Sequence, residues 1–423
     1  MKEWKKVKLG EIYDVHNGLS KGRQFFGTGF PFLTFSNVFN NWFLPDSLES
    51  LVQSSEKERE NFSIKKGDVF ITRTSETMDE LGMSSVALKD YPHATYNGFT
   101  KRLRPKSDCM IPEYVGYYLR SPKFRGKFMA FSTMTTRASL ANDDLLNMEI
   151  DLPPLPTQHR IASILSRYDA LIENYQKQIK LLEEAAARLY KQWFVELKFP
   201  GYQNTTIVDG VPEGWEKKKI GEIIEYEIGG GWGDDNNLGK GTHPAFVIRG
   251  TDIDDLKIGK FDSLPFRYHQ ENNLKSRKIE TNDIIFEVSG GSKTEGVAKT
   301  FLIRQNFLEQ FNAPMICASF CKLIRLKDRQ SAQYVYDTFK EWRISGITSQ
   351  YDKRSASSIV NYRWKDFLSQ QEMFIPSKEI LDSYIKSSMD LHNKMTNLTI
   401  QIRHLTESRD RLLPKLMSGE LEV

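Results

Sequence analysis

Most residue patterns through which a chain announces catalysis are approached here and then missed. Gly290-Gly-Ser-Lys-Thr294 has the residue types of a phosphate loop, but Ser292 separates Gly291 from Lys293, and Gly-x-x-x-x-Gly-Lys-Ser/Thr does not occur. Gly229-Gly-Gly-Trp-Gly233 is glycine-rich without that spacing. A methyltransferase acting on a flipped adenine needs Asn/Asp-Pro-Pro-aromatic. The one Pro-Pro, Pro153-Pro154, follows Leu152 and leads into a helical segment. Pro45-Asp46 opens like a nuclease core, yet the Glu-x-Lys such a core requires does not follow it closely. The cysteines are Cys109, Cys317 and Cys321, and the seven histidines do not gather near them. We read the thiols as reduced core residues, not metal ligands. No catalytic residue and no metal ligand is assigned.

The chemistry these residues do suit is hydrogen bonding to a nucleic acid. Base edges are read by Arg, Lys, Asn, Gln, Ser and Thr on loops that reach a groove, and phosphates by scattered basic and hydroxyl groups. In the first half the candidates are Lys21 and Arg23, then Thr72, Arg73 and Thr74, then Arg137. In the second half they are Arg249 and Thr251, then Ser289, Ser292 and Lys293, then Gln350, Tyr351, Lys353 and Arg354. Each loop also reads as ordinary solvated surface. The formal charge of +4 suits a nucleic-acid binder or an unrelated cytoplasmic protein equally.

What must position these loops is a duplicated scaffold. A chain of 423 residues exceeds one domain of about 150. Trp4-Lys-Lys-Val-Lys-Leu9-Gly10-Glu11-Ile12 returns as Trp215-Glu-Lys-Lys-Lys-Ile220-Gly221-Glu222-Ile223. Ile64-Lys-Lys-Gly-Asp68-Val-Phe-Ile71 returns as Ile279-Glu-Thr-Asn-Asp283-Ile-Ile-Phe286, and Asp144 with Pro154 matches Asp366 with Pro376. Three matches in one order imply a tandem duplication. Within each copy, strands are expected at Pro31 to Val38, Asp68 to Arg73, Val86 to Leu88, Ala245 to Arg249 and Phe320 to Leu326, and helices at Glu113 to Arg120 and Gln333 to Arg343. The fold class is therefore α/β (α+β) in tandem repeat.

Two helical segments close the copies. After Pro156, apolar residues at Ile161, Leu165, Ile172, Ile179 and Leu182 belong to a stripe whose spacing alternates four and three; after Pro376 the stripe includes Leu391, Leu398, Ile402 and Leu405. Such stripes need a partner in water, and the nearest is the other helix, giving an antiparallel coiled coil. Separate core helices are the plainer alternative. Pro414 is expected to kink or end the second helix. No window approaches the length of a membrane span and no signal peptide is evident, so a cytoplasmic protein is expected.

The run Leu152-Pro-Pro-Leu-Pro-Thr-Gln158-His-Arg-Ile161 resembles the start of the first conserved helix in the specificity subunits of type I restriction-modification enzymes. Leu412-Leu-Pro-Lys-Leu416-Met-Ser-Gly419-Glu-Leu is similar to that family's terminus, and Trp4 to Ile12 with Trp215 to Ile223 resemble the openings of its target-recognition domains. Thr157 departs from the family's Glu, and the run after Pro376 lacks the Gln. The resemblance implies recognition domains at 1–152 and 201–375, and conserved spacer helices at 153–200 and 376–423. It implies a non-catalytic subunit that reads a bipartite site in double-stranded DNA. Two methylation subunits and the restriction subunits would dock on it, so that it forms part of a restriction endonuclease and adenine-N6 methyltransferase complex. S-adenosylmethionine, ATP and magnesium are expected on those partners and no cofactor on this chain. A coiled-coil scaffold without sequence-specific DNA binding, or an enzyme with an unrecognised site, are the rival readings.

Overall fold

The structure is a computed structural model that describes residues 4–75, 80–130, 133–134, 138–139, 141–290, 296–354 and 359–423. The chain divides into two compact units, Met1–Ala170 with Thr406–Val423, and Leu171–Leu405.

In the first unit a four-stranded antiparallel sheet runs in the order Tyr13–Asn17, Thr100–Pro105, Val69–Thr72, Ser84–Val86. A second sheet places Phe26–Leu33 between Leu51–Val52, antiparallel, and Thr95–Tyr96, parallel. A small sheet joins Thr74–Ser75 to Ala138–Ser139 and Thr133–Met134, and Lys5–Lys8 pairs with Glu149–Leu152. The central strand is buried on both faces. Val69 and Ile71 belong to one hydrophobic cluster and Phe70 to another, as a two-residue side-chain period requires.

The second unit repeats each of these sheets. Its four-stranded sheet is ordered Ile224–Gly229, Cys321–Leu326, Ile284–Glu287, Thr300–Leu302. His243–Ile248 lies between antiparallel Phe266–His269 and parallel Met315–Cys317; Ser289–Gly290 joins Val360–Tyr362 and Asp352–Arg354; Glu216–Lys219 pairs with Glu372–Ile375. Ile284 and Phe286 again face one cluster while Ile285 faces another.

The repeated Asp landmarks hold this scaffold. Asp68 is fully buried; it accepts from the backbone N–H of Lys65 at 2.7 Å and from Nε and a terminal nitrogen of Arg104 at 2.8 and 2.6 Å. Asp283 does the same with Glu280 at 2.7 Å and Arg325 at 2.9 and 2.8 Å. The residue before each Asp, Gly67 or Asn282, takes a left-handed backbone (φ 87° and 66°), which glycine and asparagine tolerate best. Gly10 and Gly221 are equivalent too. A Cβ on either would lie 3.1 Å from a helix carbonyl, of Leu146 or Leu368.

The long helices are Leu155–Tyr190, continued by a π-helical turn Lys191–Val195, and Lys378–Ser418. In the first unit Ile161 and Leu165 share a core with Leu413, Leu416 and Met417. In the second, Ile179 packs with Met395, Leu398 and Ile402, with Ile172, Tyr175 and Leu182 against them. Further along, Tyr190, Trp193 and Phe194 surround Tyr384 at ring distances of 6.2, 5.7 and 4.7 Å. Rising numbers on one helix meet falling numbers on the other, so the pair is antiparallel. Leu391 and Leu405 are half-buried on the second helix.

Two local expectations change. Val38 lies in a helix, Phe35–Asn40, capped by Thr34 and Asn37, instead of ending a strand. Pro414 sits inside the second helix without ending it. It is within the last turn and a half, where few hydrogen bonds remain to lose, and buried Leu413, Leu416 and Met417 hold that turn down.

Candidate nucleic-acid interface

The proposed contact loops sit where strands hand over to turns. In the first domain Lys21 is ion-paired to Glu58 at 2.8 Å, donates to the Gln53 carbonyl at 2.7 Å and lies over the Phe25 ring. The Lys21 hydrogen bond and that of the Ser55 N–H hold the Glu58 carboxyl below its usual value. Arg23 is exposed in a short turn, Arg23–Phe25. Arg73 is half-buried between the strands Val69–Thr72 and Thr74–Ser75, its N–H bonded to the Phe99 carbonyl. Thr74 is placed by its backbone in that short strand; its side chain, and Arg137 altogether, lie outside the described residues.

In the second domain Thr251 is exposed. The Ser289 hydroxyl donates to Asn361 Oδ1 at 2.8 Å. Gln350, Lys353 and Arg354 are exposed, the last two on the strand Asp352–Arg354. Ser292 and Lys293 lie outside the described residues. The Arg249 fork is filled by Asp252, at 3.1 Å and 2.6 Å to Oδ1, and it donates to the Ser263 carbonyl. It therefore offers charge at the surface and not a free bidentate fork.

Two candidates are corrected. Thr72 is fully buried; its hydroxyl donates to the Glu80 carbonyl and accepts from the Met83 N–H. Tyr351 is 7% exposed, packed on Phe367 and Tyr362, with its hydroxyl on Gln371. Both side chains point inward, Thr72 at the end of the strand Val69–Thr72 and Tyr351 at the end of the 3-10 turn Thr348–Tyr351.

Sequence reasoning missed the exposed rings. Phe99 is 55% and Phe320 59% exposed, each the third residue of a turn in which Asn97 or Ala318 accepts from Thr100 or Cys321. The signal was the matching position one residue before the paired strands Thr100–Pro105 and Cys321–Leu326.

The remaining polar features belong to the packing of each domain against its long helices. In the first unit Tyr117 donates to Asp169, which also accepts from Arg409 at 2.7 Å. In the second, Asp337 is buried and accepts from Tyr384 at 2.8 Å and Gln333 at 2.7 Å, with His392 Nε2 at 3.4 Å. Burial works against ionising Asp337, but His392 and the Gln333 hydrogen bond outweigh it and hold the carboxyl below its usual value. Burial pushes the Cys317 thiol up to about 12, so it stays a neutral core group. Among the described residues there is no cluster of ligands for a metal and no helix long and apolar enough to cross a membrane.

Residues 1–184 match the family model described as the type I restriction modification DNA specificity domain. The chain is 28% identical over 441 residues to the type I restriction enzyme MjaIX specificity subunit of Methanocaldococcus jannaschii, covering all of this chain and 94% of the relative. It is 21% identical to the HindI specificity subunit of Haemophilus influenzae over the full length of both. The crystal structure of a type I restriction-modification S subunit from M. genitalium shares the fold, with a TM-score of 0.54 at 14% identity over 98% of this chain and 96% of that one. Residues 1–184 thus match the specificity-domain family, and along its whole length the chain is similar to specificity subunits of type I restriction enzymes.

Proposed function

We propose that this chain reads a bipartite DNA site, one half by residues 1–152 and the other by residues 201–375, without catalysing a reaction itself. The helical segments 153–200 and 376–423 serve as spacer and as the surface on which two methylation subunits and the restriction subunits dock. S-adenosylmethionine, ATP and magnesium act on those partners. The observation that carries this reading is the repetition of one strand order in both domains with different side chains on the loops. Two unlike readers on one scaffold are what a split site with unequal halves requires. The contacts come from Lys21, Arg23, Arg73, Thr74 and Arg137 in one domain. In the other they come from Arg249, Thr251, Ser289, Ser292, Lys293, Gln350, Lys353 and Arg354.

The test is the genomic methyladenine motif with and without this gene. A two-part motif that vanishes on deletion supports the proposal. An unchanged methylome, or a purified complex that shifts all duplexes alike at moderate salt, supports a scaffold instead.

A further inference from the structure

Phe99 and Phe320 occupy one position in a fold whose other loop residues scarcely match. Each ring stands at the third place of a turn closed by an i to i+3 backbone bond, and each is more than half exposed. The fold does not require this. A buried phenylalanine is worth about 1.5–3 kcal/mol relative to an exposed one, and a polar residue would fit the tip of either turn. Both rings adjoin the contact loops, because the Phe99 carbonyl accepts from the N–H of Arg73 and the Phe320 carbonyl from the N–Hs of Val288 and Ser289.

In the second domain the ring forms a wall of an apolar cleft of about 400 Å³. Trp232, 41% exposed, and Ala318 also line it, and its rim carries Thr251, Ser289 and Arg249. The carboxylate that lines this cleft, Glu287, is 3% exposed. The accessible rim thus presents hydroxyls and a guanidinium around an apolar patch. That is complementary to a base edge flanked by phosphates, and less so to an acidic protein surface. In duplex DNA the apolar group on a base edge is the thymine C5-methyl, which faces the major groove.

We propose that Phe320, with the Trp232 and Ala318 cleft beside it, meets the C5-methyl of a thymine in one half-site, and that Phe99 meets one in the other. The inference rests on the two-half-site reading and assigns each domain a specificity-determining contact.

The experiment uses the full chain assembled with its methylation subunits. It measures binding to duplexes carrying the methylated motif in which each thymine in turn is replaced by deoxyuridine, which removes only the methyl group. The parent complex should lose about fourfold in affinity at one thymine per half-site, the worth of one buried methyl. Phe320→Ala should bind the thymine duplex about fourfold more weakly and become indifferent to deoxyuridine at that position. Phe99→Ala should do the same in the other half-site alone, and Phe320→Leu should keep part of the discrimination. Variants that keep the full deoxyuridine response overturn the proposal, as does a half-site of G·C pairs only. So does a variant whose DNA preference is intact while its methylation subunits dissociate, since the ring is then a protein contact. Failure of the underlying reading looks different: the parent complex would show no sequence preference before any residue is changed.

Discussion

The two units agree in how their sheets are built and differ in how each meets its long helices. Both lock the turn before the central strand with a buried Asp and a forked Arg, Asp68 with Arg104 and Asp283 with Arg325. Both bring a glycine so close to a helix carbonyl that an added Cβ would lie 3.1 Å from it. Against the helices the chemistry is reversed. The first domain offers a donor, Tyr117, to Asp169 on a long helix; the second offers an acceptor, Asp337, to Tyr384 and His392. Interactions internal to a domain have been kept through duplication, while those to the helices and on the surface loops have diverged. Each domain is therefore seated by its own chemistry on a shared plan.

The largest effect that could break this comparison is on recognition itself. Inserting four residues into both long helices adds about 6 Å of helix, close to two base pairs at roughly 3.4 Å each. The unread gap of the methylated motif should lengthen accordingly while both half-sites stay the same. An unchanged gap, read by methylome sequencing, removes the spacer role. Next come the Asp locks. Asp68→Ala and Asp283→Ala each strip a buried ion pair and leave a backbone N–H unanswered, at about 3 kcal/mol each. Hydrogen exchange should show the loss confined to the altered unit; a silent substitution in one copy would mean that the locks are not equivalent.

Smaller losses should distinguish the helix seatings. Tyr117→Phe removes one hydrogen bond to Asp169, about 1 kcal/mol. Asp337→Asn removes a buried charge and weakens three contacts, and should cost more in denaturant unfolding of the second unit. The smallest effect is its pH dependence. Because the folded pKa of Asp337 is depressed, its contribution is present above the unfolded value of about 3.9 and is lost as pH falls toward the folded one. The stability gap between the parent and Asp337→Asn should narrow as pH is lowered from about 5 through that range. A gap that is constant with pH would mean that charge plays no part.

Much of the architecture was legible in residues alone. The helix stripes are long and periodic, so the spacing of Ile161, Ile179, Leu398 and Ile402 was enough to assign them to a helix seam. The Asp landmarks were legible as repeats but not as locks, because Arg104 and Arg325 come from strands about 40 residues later. The contact loops were legible as positions only. Whether Thr72 points inward depends on the phase of a four-residue strand, which a two-residue period fixes poorly over so short a run, and Tyr351 ends a single 3-10 turn that has no strand period to read. Phe99 and Phe320 stayed hidden because a phenylalanine next to a strand reads as core, and its exposure becomes visible only in the fold.

The central claim is that two unlike domains each read one half of a split site, and domain exchange tests it most directly. Residues upstream of Leu152 are replaced by the matching domain of a relative with a different motif, and the methylome of the resulting strain is sequenced. The account predicts a motif with one half-site replaced and with the other half-site and the gap intact. Altered specificity in both halves, or in neither, would contradict it.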